Sequence, residues 1–287
     1  MKPIHFAFVL LINLLWGFNI VAGKVGVMEL KPMFFTFLRF LVLSLVLLPF
    51  LRVRRGRMRL VFAIAMMTGG LHFAFMYSGL YLAADVSTVA IAIQLVVPFS
   101  TILSIIFLKE VVRWKRWLGI VLSFSGVVIL GFDPRVIDYA GGLSLVVVAA
   151  LSGSIGFLLL KKLSGVSVFE LQAWVAMYSW PLLLVFSIMF EQDQLILMQQ
   201  ASWQAWAAVV YTALAASLVG HGGMYYLIQR YDLSQLAPLT LLATLFAVIF
   251  GVTLLGDTLT DRMLIGGALT TIGVFVIAMR QRHAEKK

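Results

Sequence analysis

Apolar residues along this chain gather into ten runs separated by short polar connections: residues 4–23, 33–51, 60–82, 86–108, 116–132, 141–160, 171–190, 203–228, 236–255 and 262–280. The runs are about 20 residues long, the length a helix needs to cross a hydrocarbon slab of about 30 Å. Stretches such as Leu41–Phe50 show no alternation of apolar and polar positions, which argues against the strands of an outer-membrane barrel. Backbone polar groups in lipid must be satisfied within their own segment, so each run predicts a helix. The first run follows Lys2, and Ala22-Gly23 loosely resembles a cleavage site. It is longer than the apolar region of about 7–15 residues in a signal peptide, so it reads as a retained helix. The expected fold class is an all-α integral membrane protein with ten transmembrane helices. The short connections leave no room for a soluble domain.

Composition sharpens this picture. The chain is 62% hydrophobic and 12% charged, against roughly 45–50% and about 25% in soluble domains. It contains no cysteine, which excludes a disulfide framework and a Cys-ligated metal site. A net charge of +10 would suggest nucleic acid in a soluble protein. Here the basic residues punctuate apolar runs, so no nucleic-acid partner is expected and the charge sets topology instead. With the N-terminus inside, 17 basic residues fall on inner connections and termini, 4 fall outside, and Arg39 lies within a helix. Eight of the 12 acidic residues fall outside. This bias predicts both termini in the cytoplasm and an even number of helices.

The two halves of the chain repeat. A shift of 147 residues lays Ser87–Leu130 on Ser234–Ile277 without a gap, with 10 identities in 44 positions, among them Gly119/Gly266 and Gly126/Gly273. The acidic pair Glu110 and Asp257 falls in corresponding loops. Five helices per half is an odd number, so the second copy is expected upside down: a first repeat over residues 1–132 and a second over 141–287. Inverted repeats in secondary transporters carry a site near the midplane and expose it alternately by rocking.

Several local motifs resemble the EamA family of the drug/metabolite transporter superfamily over essentially the whole length. They are Trp16-Gly17-Phe18-Asn19 with Lys24, Leu38-Arg39-Phe40, Leu108-Lys109-Glu110, the Gly119 and Gly126 spacing, Ala237-Pro238-Leu239 and Gly256-Asp257-Thr258-Leu259. Two departures stand out. Family members often carry Glu where Asp257 stands, and Gly153 and Gly156 occupy the places of Trp16 and Asn19 in the sixth helix. The resemblance implies ten helices in a bacterial inner membrane, no ATP hydrolysis, and export of amino acids, their derivatives or other small metabolites. It does not specify the solute or the oligomeric state.

No phosphate-binding loop, zinc-protease motif or paired-carboxylate motif appears, so no catalytic residue, metal or cofactor is expected. Polar groups inside the membrane are then the candidates for solute binding. Arg39 could hold an anionic solute group, or simply snorkel or tie down carbonyls. His72 and His221 could bind solute or carry protons, or serve as neutral interhelix links. Gly220, Gly222 and Gly223 flank His221 and allow close approach of a ligand or a helix. Asn19 and Gln94 need mid-helix partners, Trp16 could form an apolar wall, and Thr240 belongs to the same tier. Pro98 and Pro238 remove backbone donors and could kink their helices. Trp174, Trp180, Trp203 and Trp206 read as interface anchors, and the run Arg52–Arg59 as a loop touching anionic lipid.

The combined expectation is a secondary or facilitative exporter of small polar metabolites embedded in the bilayer. The alternatives are a membrane-embedded enzyme acting on a lipid-linked substrate and a scaffold subunit. Carboxylates lie only in loops or at helix ends, so facilitative transport is the simpler expectation; the deep histidines are the proton carriers otherwise. Because cysteine is absent, single cysteines report topology cleanly. A cysteine near Asp193 is expected to react with an impermeant maleimide in intact cells and one near Lys162 is not; the reverse pattern overturns the orientation and the inverted repeat together.

Overall fold

The computed structural model describes residues 2–228, 230–231 and 236–279; Ser234 of the repeat and the basic residues Arg280, Arg282, Lys286 and Lys287 fall outside them. The described residues are mostly helical, with no strand among them. Among them nine helices are long and apolar enough to cross a membrane: α1 Pro3–Leu30, α2 Pro32–Phe50, α3 Met58–Leu82, α4 Val86–Leu108, α5 Trp114–Gly131, α6 Ala140–Leu160, α7 Val168–Phe190, α8 Trp203–Met224 and α10 Asp261–Met279. Between the last two lies a shorter apolar helix, α9, Leu239–Leu255. Outer and inner below follow the side assigned by the charge count. Two short helices, Pro134–Ile137 and Gln194–Gln200, sit in outer connections where the sequence predicts loops.

The helix edges follow local chemistry. The sequence ends the first apolar run at Gly23, yet α1 runs from Pro3 to Leu30, 28 residues in all, about 42 Å at 1.5 Å per residue. The extra turns carry Lys24 and Glu29, whose charges are spent on neighbouring backbone rather than on water. The Lys24 ammonium donates to the carbonyls of Leu80 (3.0 Å) and Ala83 (2.7 Å). The Glu29 carboxylate accepts from Ser202 N and Oγ, both at 2.7 Å. Charge therefore does not end a helix when the next helix supplies its partners. Helix α7 begins with a capping box between Ser167 and Glu170, which satisfies two otherwise orphaned donors.

Several helices change pitch along their length. Pro98 cannot donate to the Gln94 carbonyl, and α4 tightens into a 3-10 turn at Ile93–Leu95, as a missing i→i−4 bond allows. Pro238 sits in the 3-10 segment Ala237–Leu241 that leads into α9. Helices α3 and α8 contain π segments at Met66–Leu71 and Thr212–His221; shifted by 147 residues, the first falls wholly inside the second.

Packing pairs each helix of one half with helices of the other. Helices α5 and α10 run antiparallel, with Gly119 against Gly273 and Gly126 against Gly266. A Cβ on Gly119 would meet the Gly273 carbonyl oxygen at 2.8 Å, and one on Gly273 would meet that of Gly119 at 2.6 Å. Only hydrogens fit there, and the gain is van der Waals contact between backbones, the main attraction available between helices in lipid. The other main pairs are α2 with α7 and α8, α1 with α8 and α9, α6 with α3 and α4, and α3 with α7. Exchanging α1–α5 for α6–α10 returns the same set of pairs. Matched detail reaches the helix ends: Lys109 after α4 and Gly256 after α9 both adopt left-handed φ, +54° and +75°. The next amides, Glu110 and Asp257, reach back to the carbonyls of Ser104 and Gly251, a C-terminal cap that suits glycine and strains lysine.

Gly126→Leu is expected to lower the melting temperature of the purified protein by several degrees, in line with about 1–3 kcal/mol for overpacking. A Cβ there overlaps Thr270 Oγ1 and backbone of α10. Gly141→Ala meets nothing within 4 Å and leaves melting unchanged. Equal melting of the two variants in detergent removes the α5–α10 contact as a source of stability.

Candidate functional site

Arg39 lies on α2, seven residues from its outer end at Pro32, and is only 1% exposed. A guanidinium in such surroundings must be paired or hydrogen-bonded. No carboxylate lies within ion-pair distance of it among the described residues. Instead Nη1 donates to the Tyr77 hydroxyl at 2.6 Å and Nη2 to Ser217 Oγ at 2.9 Å. The plane of charge sits 4.2 Å from the centre of the Phe73 ring, a cation–π contact that strengthens when water is excluded. Phe73 stacks on Tyr77 in turn. Nε has no partner. The snorkelling expected as one alternative does not occur: Arg39 is held inside the bundle by α3 and α8.

Ser217 links Arg39 to the π segment of α8. Its Oγ donates to the Thr212 carbonyl at 3.0 Å, an i→i−5 reach, and its own carbonyl accepts from His221 Nδ1 at 3.2 Å. A carbonyl can only accept, so Nδ1 is the donor in this contact. The His221 ring lies 5.4 Å from that of Trp16 and stays exposed. Trp16 Nε1 donates to the Ala216 carbonyl at 3.1 Å, and the indole lies where a side chain on Gly220 would be. Asn19 is buried within reach of the Tyr77 hydroxyl, and its Oδ1 is unpaired. Trp16, Asn19, Arg39 and His221 thus surround one region, joined by Tyr77 and Ser217.

The other candidates are bonded to neighbouring helices, with His72 in electrostatic range of Arg39 and His221. His72 Nδ1 donates to the Ala149 carbonyl of α6 at 2.8 Å, with its ring over Gly153. Gln94 Nε2 donates to Thr244 Oγ1 of α9 at 2.6 Å, and Thr240 lies half-buried in the 3-10 segment that opens α9. Sequence reasoning missed Tyr77, Phe73 and Ser217. Their only signal is spacing: Ser217 stands four residues before His221, one helical turn away. A lone hydroxyl or ring in an apolar run draws no notice until the cation it serves is placed beside it.

A second set of polar residues ties the helix ends. At the outer end Asp257 Oδ2 accepts from Ser87 N (2.8 Å) and Oγ (2.6 Å). Glu191 accepts from Met33 N and Phe34 N at the start of α2. Tyr139 donates to Asp85 at 3.2 Å. Burial, with the neighbouring Asp257, pushes the Asp85 carboxyl above the usual range, and burial takes the Tyr139 phenol up to about 12. At the inner end Arg54 grips Glu170 through two nitrogens at 2.6 and 3.2 Å, and Arg57 donates to Ser164 Oγ. The Arg52–Arg59 run therefore fastens α2 and α3 to α7 and its approach. An apolar cleft of about 650 Å³ opens near the inner end between α1 and α8, lined by Ile4, His5, Phe8, Leu11, Gly223 and Tyr226.

Comparison with known proteins matches the EamA-like transporter family twice, at residues 4–132 and 140–279. A probable amino-acid metabolite efflux pump of Salmonella typhimurium is 26% identical, covering 93% of this chain and 92% of its own. A protein of the same name from Escherichia coli is 25% identical, covering 96% of each chain. An uncharacterized transporter of Archaeoglobus fulgidus is 26% identical over 93% of this chain and 95% of its own. One solved crystal structure shares the fold with a TM-score of 0.64, at 19% identity over 99% of this chain and all of that one.

Tyr77→Phe removes the acceptor of Arg39 Nη1 and leaves a buried charged donor unpaired. A loss of about 1–3 kcal/mol is expected, read as a lower midpoint in thermal unfolding. Tyr81→Phe, at a 37% exposed residue on the same helix, is the control and leaves the midpoint in place; equal midpoints mean Tyr77 does not hold the guanidinium.

Proposed function

The chain belongs to the EamA-like transporter family, and from that premise we propose that it exports small polar metabolites, amino acids or their derivatives, by alternating access. It is a multi-pass membrane protein and a transporter rather than an enzyme, as its family and its named relatives are. The proposal goes further in three respects.

The first is architecture. We read α9, with the 3-10 segment that opens it, as a tenth span, giving two five-helix repeats of opposite orientation over residues 1–132 and 141–287, with both termini in the cytoplasm of a bacterial inner membrane. The antiparallel α5–α10 contact, the exchange-symmetric helix pairs and the matched caps at Lys109 and Gly256 support this reading. The basic bias of the connections supports the orientation.

The second is the site. The observation that carries the reading is Arg39: a buried cation on hydroxyls and a ring face, with no carboxylate beside it among the described residues and with a free Nε. A guanidinium so arranged is suited to a solute carboxylate, which would supply the missing charge and a paired acceptor geometry. Trp16 and His221 would form the wall next to it, with Asn19, His72, Gln94 and Thr240 contributing further polar contacts. The efflux of amino-acid metabolites named for the Salmonella and Escherichia relatives fits a carboxylate-bearing solute.

The third is energetics. Transport is facilitative and follows the solute gradient, because no carboxylate relay crosses the spans.

Proteoliposomes loaded with a panel of amino acids and their derivatives test the reading. Efflux of at least one carboxylate-bearing solute is expected. Arg39→Gln should slow it about tenfold or more, the scale of one charge-assisted contact. Trp16→Ala and His221→Ala should slow it while melting stays near wild type. An imposed pH gradient should not drive accumulation. No flux for any solute rejects export; equal loss for solutes with and without a carboxylate rejects the role of Arg39.

A further inference from the structure

The two ends of the bundle carry the same residues in different arrangements. Glu110 and Asp257 are repeat equivalents at a spacing of 147, as are their caps. The first helices of each half follow a spacing of 137, which sets Gly153 and Gly156 at the places of Trp16 and Asn19. Contacts support that register. Gly17 of α1 lies against the Ala243 carbonyl of α9, and Ser154 of α6 donates to the Val96 carbonyl of α4 at 2.9 Å; both pairs obey the two spacings. The same spacing sets Lys161 at the place of Lys24. Each end therefore holds one lysine from the first helix of one half and one carboxylate from the other half: Lys24 with Asp257 outside, Lys161 with Glu110 inside.

At the outer end these two are apart. Asp257, 8% exposed, holds the first turn of α4 through Ser87 N and Oγ. Those donors have no partner within the helix, so the carboxylate completes them and answers the positive end of the helix dipole. Lys24 lies near Asp257 and Asp85 but forms no ion pair with either within 4.0 Å. It donates instead to the final carbonyls of α3, the negative end of that helix. At the inner end the equivalent groups are together and wet. Lys161 Nζ lies 3.1 Å from Glu110 Oε1 and 3.0 Å from Ser104 Oγ, and the side chains are 52% and 41% exposed.

We propose that these four residues form two reciprocal latches, set to opposite positions at the two ends. At a closed end the carboxylate caps a helix of the opposite half and the lysine caps a helix of its own. At an open end the carboxylate lets go of the helix start and pairs with the lysine, which at the inner end also holds the Ser104 hydroxyl in the last turns of α4. Turnover to the outward-open state releases Asp257 from Ser87 onto Lys24 and withdraws Glu110 from Lys161. The charges stay satisfied in both settings, which keeps the two states close in energy. Lys24, Asp257, Lys161 and Glu110 are positioning residues; they do not contact solute. The inference rests on the alternating-access reading above.

Ser87 is the discriminating position, because its hydroxyl contacts Asp257 only in the closed setting. Spin labels at Tyr81 and Leu259 report the outer end, and labels at Ile4 and Val111 the inner end; all four residues are exposed. Electron–electron distances are measured on the full chain in lipid nanodiscs. Wild type is expected to show two distances at each end, with opposite weights. Ser87→Ala should raise the outward-open weight about tenfold, the scale of a hydrogen bond to a charged acceptor. Ser87→Thr, which keeps the hydroxyl, should restore the wild-type weights. Two populations whose weights ignore Ser87→Ala overturn the latches and leave alternating access standing. A single distance at each end in every lipid and at every pH overturns both. Loss of the melting transition in Ser87→Ala shifts the reading to Ser87→Thr, where wild-type weights support the latch and altered weights overturn it.

Discussion

Nothing in the core of a bilayer can solvate a peptide group or a charge, so every polar atom at that depth must find its partner in the protein. Arg39 states the constraint in its most severe form. Its guanidinium is answered by Tyr77, Ser217 and the face of Phe73, from two other helices. That requirement fixes α2, α3 and α8 relative to one another. It also draws in the π segment of α8, where Ser217 reaches back five residues to Thr212. The histidine and tryptophan beside it are placed by the same chain of contacts. Hydrocarbon alone could not fill such a region, because the guanidinium would be left without partners.

The same constraint explains how the helices meet. Apolar side chains gain nothing by leaving lipid for one another, so close backbone contact has to supply the attraction. The α5–α10 pair achieves it with four glycines in antiparallel register. Both helices stand last in their halves, and the glycine contacts between them are reciprocal. Helix α1 uses Gly17 against α9 in a comparable way. Rigid contacts of this kind at the last helices, with hydrogen-bonded contacts at the ends of the others, divide the bundle into parts that hold and parts that can exchange partners.

The end contacts differ in chemistry from the core ones. Asp257, Glu191 and Glu29 each accept from backbone amides at the start of another helix, Asp257 and Glu29 from a hydroxyl there as well. Such bonds are strong while water is excluded and are replaced readily once it enters. That places reversible contacts where the chain meets water and irreplaceable ones, such as Arg39 with Tyr77, where it does not.

By itself the sequence determined what depends on composition and period. Runs of about 20 apolar residues can only be helices in lipid, so an all-helical membrane protein was legible from end to end, and the motifs that resemble the EamA family were legible with it. The 147-residue spacing exposed a repeat whose caps recur at Lys109 and Gly256. Arg39, Trp16 and His221 stood out because a charge, an indole or an imidazole is rare and costly at that depth. Tertiary structure decided the rest. It took α1 past Lys24 to Leu30, because carbonyls of α3 were there to receive the ammonium. It set Tyr77 and Ser217, unremarked among apolar neighbours, on the guanidinium, and it bonded His72 to a carbonyl of α6. It also distinguished two ends that the repeat makes equivalent, with Asp257 on a helix and Glu110 on a lysine. A sequence carries the cost of each polar group; only the packed chain carries the identity of the partner, because partners lie some 40 to 230 residues away.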